Sequence, residues 1–315
     1  MKLGLLSNQK LNPWINWSTL GPPLLSAIAR NGDAELISPP PLGKSSFGQW
    51  SRVCAQARRA DTLFWIQPSA RPELEIHLAA FSKLNLRRSA YVYDAFRPSL
   101  DKIGLLATAQ RLNPCFVAFR EAADELSKRF PKGRFEWLPF GVDTSVFSQS
   151  NQDRPIFAFW MGRRHEPLHA ALLSYCEQRG LRYIYRNQTG VFMTPDELGR
   201  TVSLSKYFVV TPPNLDDPER TGGFSPLVMR YIEGLAGGAR LLGVLPRSGE
   251  YEALLPTEAI CQVAPSGEDL SQRIEEDLAR PERWEAVEYA REVVLEQHSW
   301  ARRGEQVYQR LREGR

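Results

Sequence analysis

The chain has 315 residues, of which 43% are hydrophobic and 24% charged, with a net charge of +4. This is a globular composition, of a length that points to two domains of about 150 residues each, and no apolar run (Ile156–Met161 is among the longest) approaches the roughly 20 residues of a membrane span. The positive charge is mostly arginine, which suits capture of phosphate and carboxylate, but it forms no basic stripe, so nucleic acid is not an expected partner. From the N-terminus, short apolar runs alternate with helical patterns. Lys2–Leu6, Glu35–Ile37, Thr62–Ile66, Ala90–Tyr93, Cys115–Ala118 and Phe135–Leu138 read as strands. Between them, Pro22–Arg30, Gly48–Arg59, Glu73–Leu84, Lys102–Leu112 and Glu121–Arg129 read as helices. Near-continuous apolar strands in alternation with helices predict a parallel sheet covered on both faces.

The polar stretch Ser148–Arg154 breaks the pattern and reads as a linker. The alternation then restarts with strands Pro155–Met161, Tyr183–Tyr185, Tyr207–Val210, Arg240–Val244 and Ala259–Val263. Helices are predicted over Leu168–Gln178, Pro195–Leu204, Pro226–Leu235 and Gly249–Leu254, with a long polar loop over Thr211–Gly223 and a largely helical tail from Gly267. Two doubly wound α/β halves result. Ligands of such sheets bind beyond the carboxyl ends of the strands, and two facing sheets offer the cleft between them. The loops Ser7–Trp17, Asp94–Ser99, Gly162–Pro167, Arg186–Gly190 and Thr211–Ser225 therefore hold the candidate residues.

The stretch Thr221-Gly222-Gly223-Phe224-Ser225-Pro226 carries most information. Ser225 reads as an N-cap and Pro226 as the first helical residue, after glycines that let a ligand approach the backbone. That is a ready anion site. Arg230 and Glu233 are three apart on this helix, and suit a nucleotide, with Arg on phosphate and carboxylate on ribose hydroxyls. An ordinary capped helix with an intrahelical ion pair fits the same residues. Gly162-Arg163-Arg164, after the first strand of the second half, is a tight turn with two guanidiniums that could clamp a diphosphate or simply be solvated. His165–His169 matches H-E-x-x-H, but Pro167 is confined to a first helical turn, which leaves His165 off the helix; no metal is expected. Asp94, at a strand end, reads either as a general base or as a partner of Arg97. Trp14 and Trp17 either stack on a sugar or cover the core edge; with Asn8 and Arg97 they are the acceptor-side candidates. The acids Asp216 and Asp217, in the long loop, suggest a metal-bound diphosphate or, as paired acids in a loop usually are, are simply solvated. The four cysteines, Cys54, Cys115, Cys176 and Cys261, are far apart and form no C-x-x-C pair, which points to a reducing compartment. The Met1–Leu6 run is shorter than a signal-peptide core of about 7–15 residues, which argues against secretion.

Trp137-Leu138-Pro139-Phe140-Gly141-Val142-Asp143-Thr144-Ser145-Val146-Phe147 resembles the interdomain Pro-x-Gly-Val-Asp-x-x-x-Phe signature of group 1 glycosyltransferases. Arg230–Gly238 resembles the Arg-x-x-Glu-Ala-x-Ala-x-Gly helix of the branch with CgeB-like spore-maturation proteins. Tyr93-Asp94 falls where many members have His-Asp, and Glu296–Trp300 resembles the late segment before the last helix. The resemblance implies a GT-B fold, two Rossmann-like doubly wound domains facing a central cleft. It implies an acceptor-side domain over 1–150, a nucleotide-sugar-binding domain over 151–296 and a C-terminal helix, 297–315, packing back on the first. Glu233 would hold the donor ribose, with Gly162, Arg163, Arg164, Arg230 and the turn Gly222, Gly223 and Ser225 around the diphosphate. Ser225 stands where many members have a second glutamate, and Arg164 or Arg186 stands in for the usual lysine. The expected activity is metal-independent sugar transfer from a nucleoside-diphosphate donor, used as co-substrate with no cofactor, to a glycan, lipid or small-molecule hydroxyl. Asp94 is the catalytic candidate. An epimerase of the same fold and a non-catalytic binding protein are the alternatives. The expected place is the cytoplasm, with contact at the inner membrane face open to the arginines of the last helix, Arg302, Arg303, Arg310 and Arg312.

Overall fold

The apolar runs form strands in the computed structural model, which describes residues 1–7, 21–39, 47–69, 80–82, 84–147, 153–185, 194–280 and 282–314. The chain divides into two units, Met1–Phe140 with Trp300–Arg315, and Gly141–Ser299. In the first, β1 (Lys2–Ser7), β2 (Asp33–Ile37), β3 (Thr62–Gln67), β4 (Arg87–Val92), β5 (Leu112–Val117) and β6 (Phe135–Trp137) form one sheet in the order β2-β1-β3-β4-β5-β6. Every pairing is parallel. β3 is buried along its whole length, as a strand covered on both faces must be. Helices α1 (Gly21–Arg30), α2 (Phe47–Ala57), α3 (Leu100–Ala109) and α4 (Arg120–Arg129) complete the alternation. The helix expected over 102–112 ends early because Arg111 takes a left-handed backbone (φ 51°) and Leu112 opens β5. Most of the helix expected over 73–84 lies outside the described residues.

The second unit holds β7 (Ile156–Trp160), β8 (Tyr183–Tyr185), β9 (Ser205–Val210), β10 (Arg240–Gly243) and β11 (Ile260–Gln262), again all parallel, in the order β11-β10-β9-β7-β8. Its helices include α5 (Glu166–Gln178), α6 (Pro195–Ser203), α7 (Met229–Ala236), α8 (Leu270–Leu278) and α9 (Glu282–Gln297). Phe157, Trp160, Leu168, Leu172, Tyr207 and Ile274 pack between sheet and helices. A buried ion group crosses this core. Arg240 Nε lies 2.7 Å from Asp277 Oδ2, Arg283 donates to Asp277 Oδ1 at 2.7 Å and the Tyr207 hydroxyl to Oδ2 at 2.9 Å. No helix among the described residues is long and apolar enough to cross a membrane.

The first boundary between the units lies at Phe140/Gly141, earlier than the polar stretch 148–154 suggests. The intervening segment packs with the second unit: Phe147 is buried, and a Cβ on Gly199 would collide with the Val146 carbonyl. The second boundary, Ser299/Trp300, lies three residues past the expected one. Val142 N–H donates to the His298 carbonyl at 2.9 Å, which holds both ends of this unit side by side.

The last helix, α10 (Trp300–Glu313), belongs with the first unit. Two of its four arginines dock it there. Buried Arg303 donates from Nε to the Pro139 carbonyl at 3.0 Å, and Arg310 binds Glu136 with contacts of 2.7–2.9 Å. Arg302 pairs with Glu305 on the same helix. The α1–α10 crossing is close enough to require glycine. A Cβ on Gly304 would stand 2.7 Å from the Ala27 carbonyl carbon and 2.8 Å from Ile28 N. Replacing a helical glycine by alanine ordinarily gains up to about 1 kcal/mol. Here the added methyl meets backbone that cannot turn aside, and overpacking costs about 1–3 kcal/mol. Gly304→Ala is therefore expected to lower the thermal midpoint; an unchanged or raised midpoint would contradict the close crossing.

Candidate functional site

In the order β11-β10-β9-β7-β8 the chain winds away in both directions from the β7/β9 pair. In a sheet of this order, ligands bind outside the carboxyl ends of the two strands at which the winding reverses. The turn Met161-Gly162-Arg163 and the segment Thr211–Asp216 lie there.

Gly162 has φ +91°, a backbone that disfavours any side chain, and a Cβ on it would stand 3.2 Å from Arg230 Nη1. Arg230, in the first turn of α7, donates from Nη1 to the Met161 carbonyl at 3.1 Å. Trp160 Nε1 closes the turn on the Arg163 carbonyl at 3.0 Å. The two adjacent arginines then part. Arg163 is half-exposed and lies 3.3 Å from Asp217 Oδ2. Arg164 turns to His169 (3.3 Å) and Glu166 (3.7 Å), with its guanidinium over the Tyr185 ring. The two guanidiniums thus have separate partners, Arg163 on the Asp217 side and Arg164 on the His169 and Tyr185 side. His165 is the N-cap of α5 with Pro167 in the first turn, the placement that proline dictates. His169 Nδ1 lies 2.9 Å from the Tyr183 hydroxyl, and burial, with Arg164 beside it, lowers its pKa. Among the described residues no group of three or more His, Cys, Asp or Glu is placed to hold a metal ion.

The helix expected from Pro226 starts at Met229. Val228 is its N-cap, extended at φ −105°, ψ 163°, with no side-chain cap. Ser225 is not the N-cap: its hydroxyl accepts from Arg247 N–H at 3.0 Å, and its carbonyl accepts from Ser248 N–H. The reason lies in Glu250, which is 1% exposed and accepts the Leu227 N–H at 2.6 Å. That bond helps hold the Leu227 segment out of the helix. The acceptor comes from 23 residues away, a separation at which local pattern carries no signal. Gly222 and Gly223 are both left-handed (φ 59° and 86°), and Gly222 terminates a single-turn helix over Pro218–Thr221. The loop expected over 211–223 thus contains two helical turns, Pro213–Asp216 and Pro218–Thr221.

Glu233, one turn along α7 from Arg230, is 1% exposed, and neither carboxylate oxygen has a hydrogen-bond partner. Desolvation pushes its pKa up to about 7 against the pull of Arg230. The backbone packing that puts it there is tight. A Cβ on Gly234 would stand 2.6 Å from Phe208 and Leu241, and Gly237 and left-handed Gly238 end the helix. Asp216, read from sequence as solvated, has a side chain only 3% exposed. Its Oδ1 is unbonded, and its pKa is raised by burial against the attraction of Arg230, His165 and Arg163.

In the first unit, Asp94 follows β4, with its N–H donating to the Pro68 carbonyl at 2.7 Å and its carbonyl accepting from Phe96. Arg97, its expected partner, donates to Glu125 at 3.3 Å. Asn8, Trp14, Trp17 and Arg186 lie outside the described residues.

No family model matches the chain, and no curated protein matches it in sequence. Solved structures do match in fold. HepE of Anabaena, in complex with UDP-glucose, superposes with a TM-score of 0.66 at 13% identity, over 99% of this chain and 100% of that one. The UDP-GlcNAc 2-epimerase of Neisseria meningitidis, bound to UDP-GlcNAc, gives 0.59 at 8% over 99% and 100%. That of Methanocaldococcus jannaschii gives 0.56 at 12% over the same shares. The fold is GT-B: two parallel-sheet α/β domains, as expected.

Glu233 binds a proton more readily folded than unfolded, so its contribution to stability falls as pH rises from the ordinary carboxylate range through about 7. Glu233→Gln removes that slope. The stability of the variant relative to the wild type is expected to rise by about 2–3 kcal/mol between pH 4.5 and pH 8. A gap that stays constant with pH, in denaturant titrations of the ligand-free protein, would show that the carboxyl is not held out of water.

Proposed function

We propose that the second unit binds a nucleoside-diphosphate sugar and that the protein transfers the sugar to a hydroxyl acceptor. One observation carries this reading: the buried, unbonded carboxylate of Glu233 beside Arg230 at the switch point of the sheet. A carboxylate so placed is costly unless a ligand completes it. Its two oxygens accept but cannot donate when ionised, so the ligand must bring paired donors. A ribose diol does so. Arg230 supplies a cation near the same place, 3.2 Å from where a Cβ on Gly162 would stand, and Arg163 follows Gly162 in the same turn. A diphosphate attached to the ribose meets that charge. Uridine is the base to test first, because the matched structures include complexes with UDP-glucose and UDP-GlcNAc.

In the transfer, the bond from the sugar's anomeric carbon to the diphosphate breaks and a bond to the acceptor oxygen forms. Negative charge grows on the departing diphosphate, and Arg230 and Arg163 stabilise it electrostatically without a metal. Asp94 is the candidate for taking the acceptor proton if the sugar's configuration inverts; if it is retained, the departing phosphate takes the proton. The acceptor class, whether glycan, lipid or small molecule, is left to assay. A second reading, epimerisation of the sugar on its nucleotide, draws on the full-length match to UDP-GlcNAc 2-epimerases. Turnover of UDP-GlcNAc with no acceptor present distinguishes it.

Glu233→Ala is expected to weaken UDP binding by about 100-fold or more in calorimetry, the scale of a lost charge-assisted pair of hydrogen bonds. Arg230→Gln is expected to weaken UDP more than uridine. Unchanged UDP affinity in the Glu233 variant overturns the assignment.

A further inference from the structure

Asp216 closes the single helical turn that follows β9. Its Oδ2 accepts from Thr211 at 3.5 Å, while Oδ1 is buried without a hydrogen bond, 4.0 Å from His165 Nδ1. Two residues earlier, Asn214 also carries a buried side-chain oxygen with no partner. Arg230 and Arg163 both act on the Asp216 carboxylate. Asp217, next in sequence, is by contrast engaged with Arg163, Arg220 and the Arg220 N–H. The unsatisfied atoms here are acceptors, so the missing group is a donor. A phosphate at neutral pH brings few protons and is repelled by a carboxylate. A hydroxyl brings the proton and no charge. A buried acid interleaved with guanidiniums therefore fits a ligand that is anionic at one point and hydroxylated at the next. Glu233 lies on α7 and Asp216 on the helical turn after β9, so the two acids approach Arg230 from different elements.

We propose that Asp216 accepts a hydrogen bond from a hydroxyl of the sugar carried on the diphosphate, and so determines which sugar the site takes. This rests on the nucleotide-sugar reading of the Glu233 site. Asp216 takes a hydrogen bond from the sugar and none from the nucleotide, so its removal weakens the sugar's binding and not the nucleotide's.

The test is calorimetry on the full chain with UDP, UDP-glucose, UDP-galactose and UDP-GlcNAc. In Asp216→Asn, which removes a negative charge from beside Arg230 and Arg163, affinity for UDP is expected not to fall by more than about two-fold. Affinity for at least one UDP-sugar is expected to fall by about 10-fold or more, the scale of one charged hydrogen bond. The order of preference among the three sugars changes with it. Equal weakening of UDP and of every UDP-sugar overturns the proposal, as does no weakening of any. Asp216→Ser, which removes the carboxylate and keeps a small polar side chain, carries the same test should Asp216→Asn fail to fold. Failure of the wild type to bind UDP is a different result: it overturns the nucleotide reading itself.

Discussion

The hydrogen bond from Arg230 to the Met161 carbonyl ties the start of α7 to the end of β7, and the candidate site depends on it. The bond brings a guanidinium to within 3.2 Å of where a Cβ on residue 162 would stand. The left-handed turn of Gly162 then directs Arg163 toward Asp217. One helical turn further on, the same helix carries Glu233 into the interior, where Gly234 packs on Phe208 and Leu241. Moving Arg230 would disturb the turn, the helix start and the environment of both buried acids together.

Buried charge occurs in two forms in the second unit, and their contrast marks the site. Asp277 is fully buried, yet both of its oxygens are bonded, to Arg283 and Tyr207, with Arg240 in contact. Arg240 spends further donors on the carbonyls of Arg283 and Glu258. Such a group tethers α8 and the start of α9 to the sheet, and its satisfaction leaves nothing for a ligand. Glu233 and Asp216 are buried to a similar degree with three oxygens between them unbonded. Among the described residues, nearby arginines attract both acids, but none donates a hydrogen bond to those three oxygens.

Much of this arrangement was legible in sequence because it is local. Strand and helix alternation follows from hydrophobic runs of a few residues. The close placement of Arg230 and Glu233 follows from helical spacing, and the turn after β7 from a glycine at a strand end. Pro167 alone sufficed to remove His165 from the helix. Legibility ended where the partner of a residue lies far along the chain. Ser225 and Pro226 have the local chemistry of a helix start, and Glu250 overrides it by taking the Leu227 N–H. The polar run 148–154 has the composition of a linker, but the boundary falls earlier in the chain because Phe147 and Val146 pack within the second unit.

The sequence by itself determined the parallel α/β class, the two-unit organisation and the candidate residues of α7, since periodicity and turn chemistry act over a few residues. The tertiary structure alone decided the order of the strands, and with it the switch point at β7 and β9. It also decided which charges are buried. Asp216 and Asp217 are adjacent and chemically alike, yet one is withdrawn from water with an oxygen unbonded and the other is paired at the surface. Desolvation depends on the atoms packed around a group, and those come from β7, β9, α5 and α7, which only the folded chain brings together.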